Sequence, residues 1–203
     1  MITKIKLLFQ TKTTFLKEKV FLPEKGQMKN VYLIGYMGAG KSTAGRQLAR
    51  LLGYDFLDLD RAFEETYKIS IVDFFDKYDE DTFRLIERKM LENTFSLKSH
   101  VISTGGGTVC NGDNIRQINE HGISVYIRMH PDSLFHRLRN SKRPRPRIIN
   151  LKDAELKRFI EKDLEQRDSF YQMAHLQIKG EDLNFNALAK LIAPKIGISL
   201  LKD

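Results

Sequence analysis

Residues 31–52 read VYLIGYMGAGKSTAGRQLARLL and combine an apolar run, a glycine-rich loop and a helical pattern. The run 31–34 is typical of a buried strand of a parallel sheet, and Gly35 ends it. Gly35, four further residues and the triplet GKS at 40–42 match the P-loop pattern. Such a loop turns its backbone N–H groups toward phosphate oxygens at the start of a helix. The stretch therefore predicts a nucleotide site.

The side chains of this loop have distinct predicted roles. Lys41 supplies a positive charge for the β- and γ-phosphates, and the Ser42 hydroxyl is a ligand for Mg²⁺. The alternative is a glycine-rich turn that carries a lysine by coincidence, but strand, loop and helix follow one another in the order that a P-loop needs. We expect the nucleotide to be bound by Gly38, Ala39, Gly40, Lys41, Ser42 and Thr43.

The composition fits one domain that binds anionic ligands. The chain has 203 residues and a formal net charge of +8, of which +4 comes from six lysines and two glutamates in residues 1–27. We interpret 1–27 as a dispensable extension and 28–203 as a single domain. The remaining charge is too dispersed to predict nucleic-acid binding, and no apolar run is long enough for a membrane span. One cysteine, Cys110, fits a reducing compartment, so we expect a cytoplasmic protein.

Two carboxylates end the second predicted strand, which covers 55–60. Asp58 and Asp60 lie two residues apart, and the period of a strand places both on one face. Open α/β sheets bind ligands at the carboxyl ends of their strands, so the pair predicts a functional site. The alternative is that Asp60 caps the following helix, which would explain only one of the two acids.

A helical segment at 60–97 follows, and we predict that it binds the acceptor of the phosphoryl group. Arg84 and Glu87 lie three residues apart in it, so the carboxylate can hold the guanidinium in position. The alternative is an ordinary solvent-exposed ion pair. The next predicted strand, 101–103, runs into Gly105, Gly106 and Gly107, which let a ligand lie against bare backbone. A plain flexible loop is the alternative there.

The segment 140–152 is basic and rich in proline, and we predict that it forms a lid. Its prolines exclude a regular helix, and a lid with arginines can cover the transferring phosphoryl group and exclude water. The alternatives are a solvated loop and a patch for nucleic acid. The helix predicted at 153–171 carries Arg167 near its end, where the arginine either binds a ligand or stabilises the helix C-terminus.

Alternating strands and helices predict the fold class. We expect an α/β protein with a five-stranded parallel doubly wound sheet and helices on both faces. The acidic pair and the arginines outside the P-loop indicate an acceptor that is both hydroxylated and anionic, because carboxylates accept hydrogen bonds from hydroxyls and arginines bind carboxylates in a bidentate manner. A small hydroxy acid phosphorylated by ATP fits this description. The strands are predicted at 31–34, 55–60, 101–103, 123–127 and 174–179.

The stretch from residue 29 to 192 resembles the shikimate kinase family, which phosphorylates the 3-hydroxyl of shikimate on the way to chorismate and the aromatic amino acids. Six motifs in the family's order carry the resemblance. They are GYMGAGKST at 35–43, DLD at 58–60, FRLIE at 83–87, STGGG at 103–107, RP at 145–146 and LEQRDSFY at 164–171. The resemblance implies ATP and Mg²⁺ as cofactors, shikimate as the small-molecule partner, and a monomer.

The resemblance also implies roles for single residues around the phosphates. Lys41 and the lid arginine, Arg145, stabilise charge on the transferring phosphoryl group, and Arg145 also belongs to the nucleotide site. Ser42 ligates Mg²⁺, and Asp58 holds that ion through water. Arg143 is the alternative lid arginine, because the family's lid reads Arg-Pro followed by two aliphatic residues and here Arg147 interrupts that pattern.

On the acceptor side, the resemblance makes Asp60 the residue that accepts the hydrogen bond of the reacting hydroxyl and the candidate base. Arg84 and Arg167 bind the carboxylate, Glu87 orients Arg84, and Gly105–Gly107 lie beneath the ring. One departure from the family pattern is the pair Asp168-Ser169, at the place where a proline commonly follows the second arginine by two residues.

Three other functions compete with this interpretation. Gluconate kinase or another small-metabolite kinase would share the P-loop, but we would not expect the glycine triplet, FRLIE and the late arginine together. A nucleotide-dependent nucleic-acid-binding protein would need an aromatic and basic surface, which is not evident in the sequence. A regulatory protein that binds nucleotide without turnover would have damaged catalytic positions, yet Lys41, Ser42, Asp58 and Asp60 are all present.

Overall fold

The computed structural model describes residues 28–141 and 144–199. The predicted extension at 1–27 and the alternative lid arginine, Arg143, lie outside these residues. The described part contains one five-stranded parallel sheet with the strand order β2-β3-β1-β4-β5, which confirms the predicted fold class. The strands are β1 Asn30–Ile34, β2 Asp55–Asp58, β3 His100–Ser103, β4 Gly122–Arg128 and β5 Leu176–Lys179.

Helices cover both faces of this sheet. Within the described ranges, none of them is long and apolar enough to cross a membrane. Three short 3₁₀ turns, Thr108–Cys110, Pro146–Ile148 and Ala193–Ile196, complete the regular structure of these ranges. The α-helices are α1 Lys41–Leu52, α2 Leu59–Tyr67, α3 Ile71–Lys77, α4 Glu80–Thr94, α5 Asn114–His121, α6 Pro131–Arg139, α7 Asp153–Tyr171 and α8 Phe185–Ile192.

Strand β1 is apolar throughout because it contributes to the core on both faces of the sheet. Val31 and Leu33 pack in one apolar cluster, with residues of α1, α6, α7 and α8. Tyr32 and Ile34 pack in a second cluster on the opposite face, with residues of α4 and α5. A strand buried on both faces cannot alternate apolar and polar residues, so its continuous apolar run is the expected pattern.

The central position of β1 brings two glycine-rich segments together. β3 pairs with β1 on one side, and Leu33 lies in register with Ser103. Thr104 then donates both its backbone N–H and its hydroxyl to the Leu33 carbonyl, each at 3.1 Å. The chain that follows β3 therefore lies beside the P-loop that follows β1. Both segments are at the carboxyl edge of the sheet, where such folds bind ligands.

The predicted second strand is too long by two residues. β2 ends at Asp58, whose side chain accepts a hydrogen bond of 3.2 Å from the N–H of Arg61 and so caps α2. Asp60 then lies in the first turn of that helix instead of on a strand. The alternative interpretation, that Asp60 caps this helix, is wrong, since Asp58 is the N-cap residue. A local capping bond decided this boundary against the two-residue period.

Asn30 joins β1 to two neighbouring elements by side-chain hydrogen bonds. Its side chain is 1% exposed and donates to the carbonyls of Thr94 at 3.2 Å and Leu97 at 2.8 Å. Its carbonyl oxygen accepts from the N–H of His100 at 3.1 Å, at the start of β3. One buried amide therefore bonds three backbone groups, one buried and two partly buried, at the edge of the sheet opposite the P-loop.

We expect Asn30→Ala to lower the free energy of unfolding by about 2–4 kcal/mol, because it removes all three hydrogen bonds of a buried side chain that joins β1 to β3 and to the end of α4. Asn184→Ala is the matched control, since Asn184 makes one exposed capping bond to Ala187. The control should lose about 1 kcal/mol. Urea denaturation of both variants measures the difference. Equal losses would show that the Asn30 network is not important for stability.

Candidate active site

A cavity of about 620 Å³ lies at the carboxyl edge of the sheet. The P-loop, the segments after β2 and β3, helices α3 and α4, the lid and α7 all contribute to its walls. Two of the predicted site residues, Ala39 and Asp58, are buried beside the cavity and do not line it. The predicted residues that line it are Gly38, Gly40, Lys41, Ser42, Thr43, Asp60, Arg84, Gly105, Gly106, Gly107, Arg145 and Arg167.

The P-loop has the backbone shape that its glycines allow. Gly40 adopts a φ of 93° at the N-cap of α1, a conformation that other residues rarely take. Gly40 has no side chain to accept a capping hydrogen bond, so within the described ranges the first-turn N–H groups of this helix have no N-cap acceptor. At Gly38 an added Cβ would lie 2.9 Å from Cδ2 of Leu138. The loop thus offers backbone donors at a helix N-terminus, which favours an anion.

Lys41 is a buried cation held by its own loop. Its Nζ donates to the carbonyls of Gly35 at 2.7 Å and Tyr36 at 2.9 Å. Burial lowers the pKa of Lys41 to about 8, although the nearby carboxylates of Asp60 and Asp58 favour the charged form. Asp58 caps α2 and Asp60 lies in its first turn, but both carboxylates are close enough to Lys41 to affect its pKa.

Asp60 faces the segment after β3. A Cβ built on Gly105 would lie 3.0 Å from Oδ1 of Asp60 and 2.5 Å from Oε1 of Glu87. On Gly106 it would lie 3.0 Å from the backbone nitrogen of Met37 in the P-loop. The prediction of bare backbone at these positions fits this crowding, and the alternative of a plain flexible loop is wrong. We call residues Gly105–Gly107 the glycine strip.

Arg84 is fixed by two carboxylates on its own helix. Its Nη1 pairs with Oε2 of Glu87 and its Nη2 pairs with Oε1 of Glu80, both at 2.8 Å. Glu87 is 6% exposed and also accepts a hydrogen bond of 2.7 Å from the hydroxyl of Thr108. The alternative of a solvent-exposed pair is therefore wrong. Gly107 lies so near that an added Cβ would be 2.9 Å from Nη2 of Arg84.

Arg167 approaches the glycine strip from α7. It is 7% exposed, and its Nη1 donates to the carbonyl of Gly106 at 3.1 Å. The Tyr171 hydroxyl donates to the same carbonyl at 2.6 Å. The guanidinium also lies over the ring of Tyr36, 5.5 Å from its centroid. Arg167 is thus part of the cavity wall, and the alternative of a cation that merely stabilises the helix C-terminus is wrong.

The lid places a further arginine at the cavity. Arg145 donates from Nη1 to the hydroxyl of Ser141 at 2.9 Å, and its charge is among those that lower the pKa of Lys41. The lid arginine chosen from the sequence therefore lies within electrostatic range of the P-loop lysine. The turn Pro146–Ile148 follows it and contacts α3.

Sequence reasoning missed four charged residues at or beside the cavity. Arg137 on α6 lines it and donates to the carbonyl of Ala39 at 3.4 Å. Arg147 pairs with Asp163 at 3.2 Å, and Asp163 also pairs with Arg167 at 3.1 Å. Glu80 is the second partner of Arg84. The spacing of four residues between Asp163 and Arg167, and between Glu80 and Arg84, was a usable signal for two of these contacts.

The donor set fits a magnesium ion that is bound mainly by phosphates. Among the described residues, no group of three or more His, Cys, Asp or Glu side chains is arranged to hold a metal. Mg²⁺ at nucleotide sites usually takes only one or two protein oxygens and completes its shell with phosphates and water. The Ser42 hydroxyl lines the cavity, and the Asp58 carboxylate lies close enough to Lys41 to raise its pKa.

A phosphate-binding loop beside a carboxylate and two fixed arginines defines a P-loop kinase of a small anionic acceptor. The family model described as shikimate kinase matches residues 37–196. The chain therefore belongs to the shikimate kinase family.

Individual relatives agree with this assignment. A shikimate kinase from Phocaeicola vulgatus is 42% identical over 156 residues, which cover 77% of this chain and 89% of that protein. The crystal structure of shikimate kinase from Bacteroides thetaiotaomicron matches with a TM-score of 0.77 and 36% identity, over 84% of this chain and 99% of that one. The shikimate kinase from Acinetobacter baumannii in complex with shikimate matches with a TM-score of 0.72 and 34% identity, over 83% and 93% of the two chains.

The lowered pKa of Lys41 predicts proton uptake when ADP binds. Near pH 8 part of the free protein carries an uncharged Lys41, and nearby phosphates favour the charged form. Binding at pH 8 should therefore take up protons, and affinity should fall as the pH rises above 8. Calorimetric titration in buffers of different ionisation enthalpy measures this uptake. No uptake at pH 8 would contradict the lowered pKa.

Proposed function

We propose that this chain is a shikimate kinase, which transfers the γ-phosphoryl group of ATP to the 3-hydroxyl of shikimate and releases shikimate 3-phosphate and ADP. The reaction belongs to the biosynthesis of chorismate and the aromatic amino acids. One observation carries the proposal: Lys41 and Asp60 line the same cavity as Arg84 and Arg167, which lie against the glycine strip. A phosphate donor and a hydroxy acid can thus occupy adjacent sites.

The phosphates of ATP bind to the P-loop in this proposal. Backbone N–H groups at the start of α1 bind the phosphate oxygens, and Lys41 and Arg145 stabilise the charge that spreads over the transferring group. The Ser42 hydroxyl, together with Asp58 through a water molecule, would hold Mg²⁺. Bound there, the ion supplies further neutralisation of the phosphate charge. Asp58 is suited to an indirect contact, since its carboxylate already caps α2.

Shikimate binds on the glycine strip with its two polar ends recognised separately. Arg84 and Arg167 bind its carboxylate, and their orientation is set beforehand by carboxylates and by the Gly106 carbonyl. Asp60 accepts the hydrogen bond of the 3-hydroxyl and directs that oxygen toward the γ-phosphorus. Phosphoryl transfer depends mainly on positioning and charge stabilisation, so Asp60 orients the nucleophile and receives its proton as the new bond forms.

The competing functions account for fewer of the residues that line the cavity. Gluconate is also a hydroxy acid, but we would not expect a gluconate kinase to combine the glycine strip, the Arg84–Glu87 pair and Arg167 in one cavity. A regulatory nucleotide-binding protein would not need an acceptor site at all. A cytoplasmic location, a monomeric state and the absence of nucleic-acid and membrane binding remain predictions from the sequence, as does the dispensability of residues 1–27.

A coupled assay for ADP release tests the proposed function directly. The acceptors to compare are shikimate, quinate, gluconate and a nucleoside monophosphate, with a reaction that lacks any acceptor as the baseline. We expect shikimate to give the highest kcat/KM, because the proposed site binds its carboxylate at Arg84 and Arg167 while its flat ring lies on the glycine strip with the 3-hydroxyl at Asp60. Similar rates with shikimate and gluconate would refute the specific assignment.

We expect Asp60→Asn to reduce kcat by about 10²–10⁴-fold, because the variant cannot accept the proton of the hydroxyl. The affinity for ATP should change little, since Asp60 binds the acceptor in this proposal. Because Asp60 also favours the charged form of Lys41, the variant and the wild-type protein are compared over a range of pH that extends below 7. Asp76→Asn is the matched control, because Asp76 is an exposed carboxylate on α3 outside the cavity lining. A normal kcat for Asp60→Asn would show that this carboxylate has no part in the reaction.

A further inference from the structure

Asp163 is a buried carboxylate that the proposed reaction does not use. It lies on α7, one helical turn before Arg167, and is 5% exposed. Its Oδ2 lies 3.1 Å from Nη2 of Arg167, and its Oδ1 accepts a hydrogen bond of 3.2 Å from Nη1 of Arg147. Buried ion pairs are weak contributors to net stability, because desolvation offsets most of their attraction. The place of this carboxylate between two cavity-lining arginines therefore calls for a functional explanation.

Contacts at two points hold the guanidinium of Arg167. Nη1 donates to the Gly106 carbonyl, and Nη2 pairs with Asp163. The hydrogen bond to Gly106 and the ion pair with Asp163 meet different nitrogens of one rigid, planar guanidinium, so together they restrict its orientation. Without Asp163, the guanidinium would keep the Gly106 hydrogen bond and its place over the ring of Tyr36, but it would lose its carboxylate partner. The alignment of Arg167 toward a carboxylate in the cavity thus depends on Asp163.

The same carboxylate anchors the described part of the lid. Arg147 belongs to the turn Pro146–Ile148, and its guanidinium also lies over the ring of Phe159, 5.4 Å from the centroid. Phe159, like Asp163, lies on α7, so Arg147 contacts this helix at two residues, and Arg145 precedes Arg147 by two positions. The link between Arg147 and Asp163 therefore limits where Arg145 can lie relative to the P-loop.

We propose that Asp163 is a positioning residue that aligns Arg167 for the acceptor carboxylate and, through Arg147, fixes the lid segment that carries Arg145. The inference rests on the proposed function, because it assigns shikimate to the cavity. It goes beyond the family's pattern, since Arg147 stands where that pattern has an aliphatic residue. The two effects differ in kinetics: Arg167 governs acceptor binding, and Arg145 governs the transfer step.

Two substitutions separate these effects. Asp163→Asn keeps the size of the side chain and removes its charge, and we expect it to raise the KM for shikimate about tenfold and to lower kcat several-fold. Arg147→Met keeps an apolar stem against Phe159, and we expect it to lower kcat several-fold with little change in the KM for shikimate. In the double variant, Arg147→Met should reduce kcat no further, because its partner is already neutral.

Limited tryptic cleavage gives a readout that does not depend on catalysis. The bond between Arg147 and Ile148 is a tryptic site, and we expect it to be cut faster in Asp163→Asn than in the wild-type protein. Lys157→Met is the matched control. It breaks an ion pair of 2.8 Å with Asp132 that also joins α7 to α6, and it lies outside the cavity lining. Both its kinetics and its cleavage at Arg147 should stay close to wild type.

An unchanged KM for shikimate in Asp163→Asn, or an Arg147→Met effect that remains full in the Asp163→Asn background, would overturn the inference. If the melting curve of Asp163→Asn shows that this variant does not fold, the kcat values of the Arg147 variants test the inference on their own. Loss of kcat in Arg147→Met with recovery in Arg147→Lys supports the inference, and a wild-type kcat in Arg147→Met refutes it. A wild-type protein that does not phosphorylate shikimate would instead refute the proposed function.

Discussion

The glycine strip lies between the P-loop and the residues Asp60, Arg84 and Glu87, and its close contacts with both set the geometry of the site. The pairing of β3 with β1 and the two hydrogen bonds from Thr104 to the Leu33 carbonyl bring the strip against the P-loop. An added Cβ at Gly106 would meet the backbone of Met37 at 3.0 Å, and one at Gly105 would meet Glu87 at 2.5 Å. The neighbour at Gly106 is backbone, which cannot move aside like a flexible side chain, and the neighbour at Gly105 is the buried Glu87 carboxylate that holds Arg84, so a Cβ at either position would disturb the site.

Charge in the cavity is arranged so that the cations are fixed before any ligand binds. Arg84 pairs with Glu80 and Glu87, and Arg167 pairs with Asp163. Their rotamers are therefore ordered when the protein folds, so binding an anionic acceptor loses less side-chain entropy. Lys41 differs, because burial among backbone carbonyls lowers its pKa to about 8 and makes an incoming phosphate its best charge partner.

The sequence predicted those parts of the fold and site that depend on neighbouring residues in the chain. The P-loop, the five parallel strands and the helix at 153–171 all follow from local pattern, and the structure has them. The boundary at Asp58 was missed because a single capping bond outweighed the strand period. The link between Arg147 and Asp163 was missed because it joins residues 16 positions apart in the lid and in α7, which only the folded chain brings together.

Our account depends on the claim that one cavity holds a phosphate donor at the P-loop and a hydroxy acid on the glycine strip. The most direct measurement is a crystal structure of this protein with ADP and shikimate. We expect the shikimate carboxylate within hydrogen-bond distance of Arg84 and Arg167, with the 3-hydroxyl beside Asp60 and facing the β-phosphate of ADP. A ring bound away from the strip, or a carboxylate that contacts neither arginine, would contradict the account.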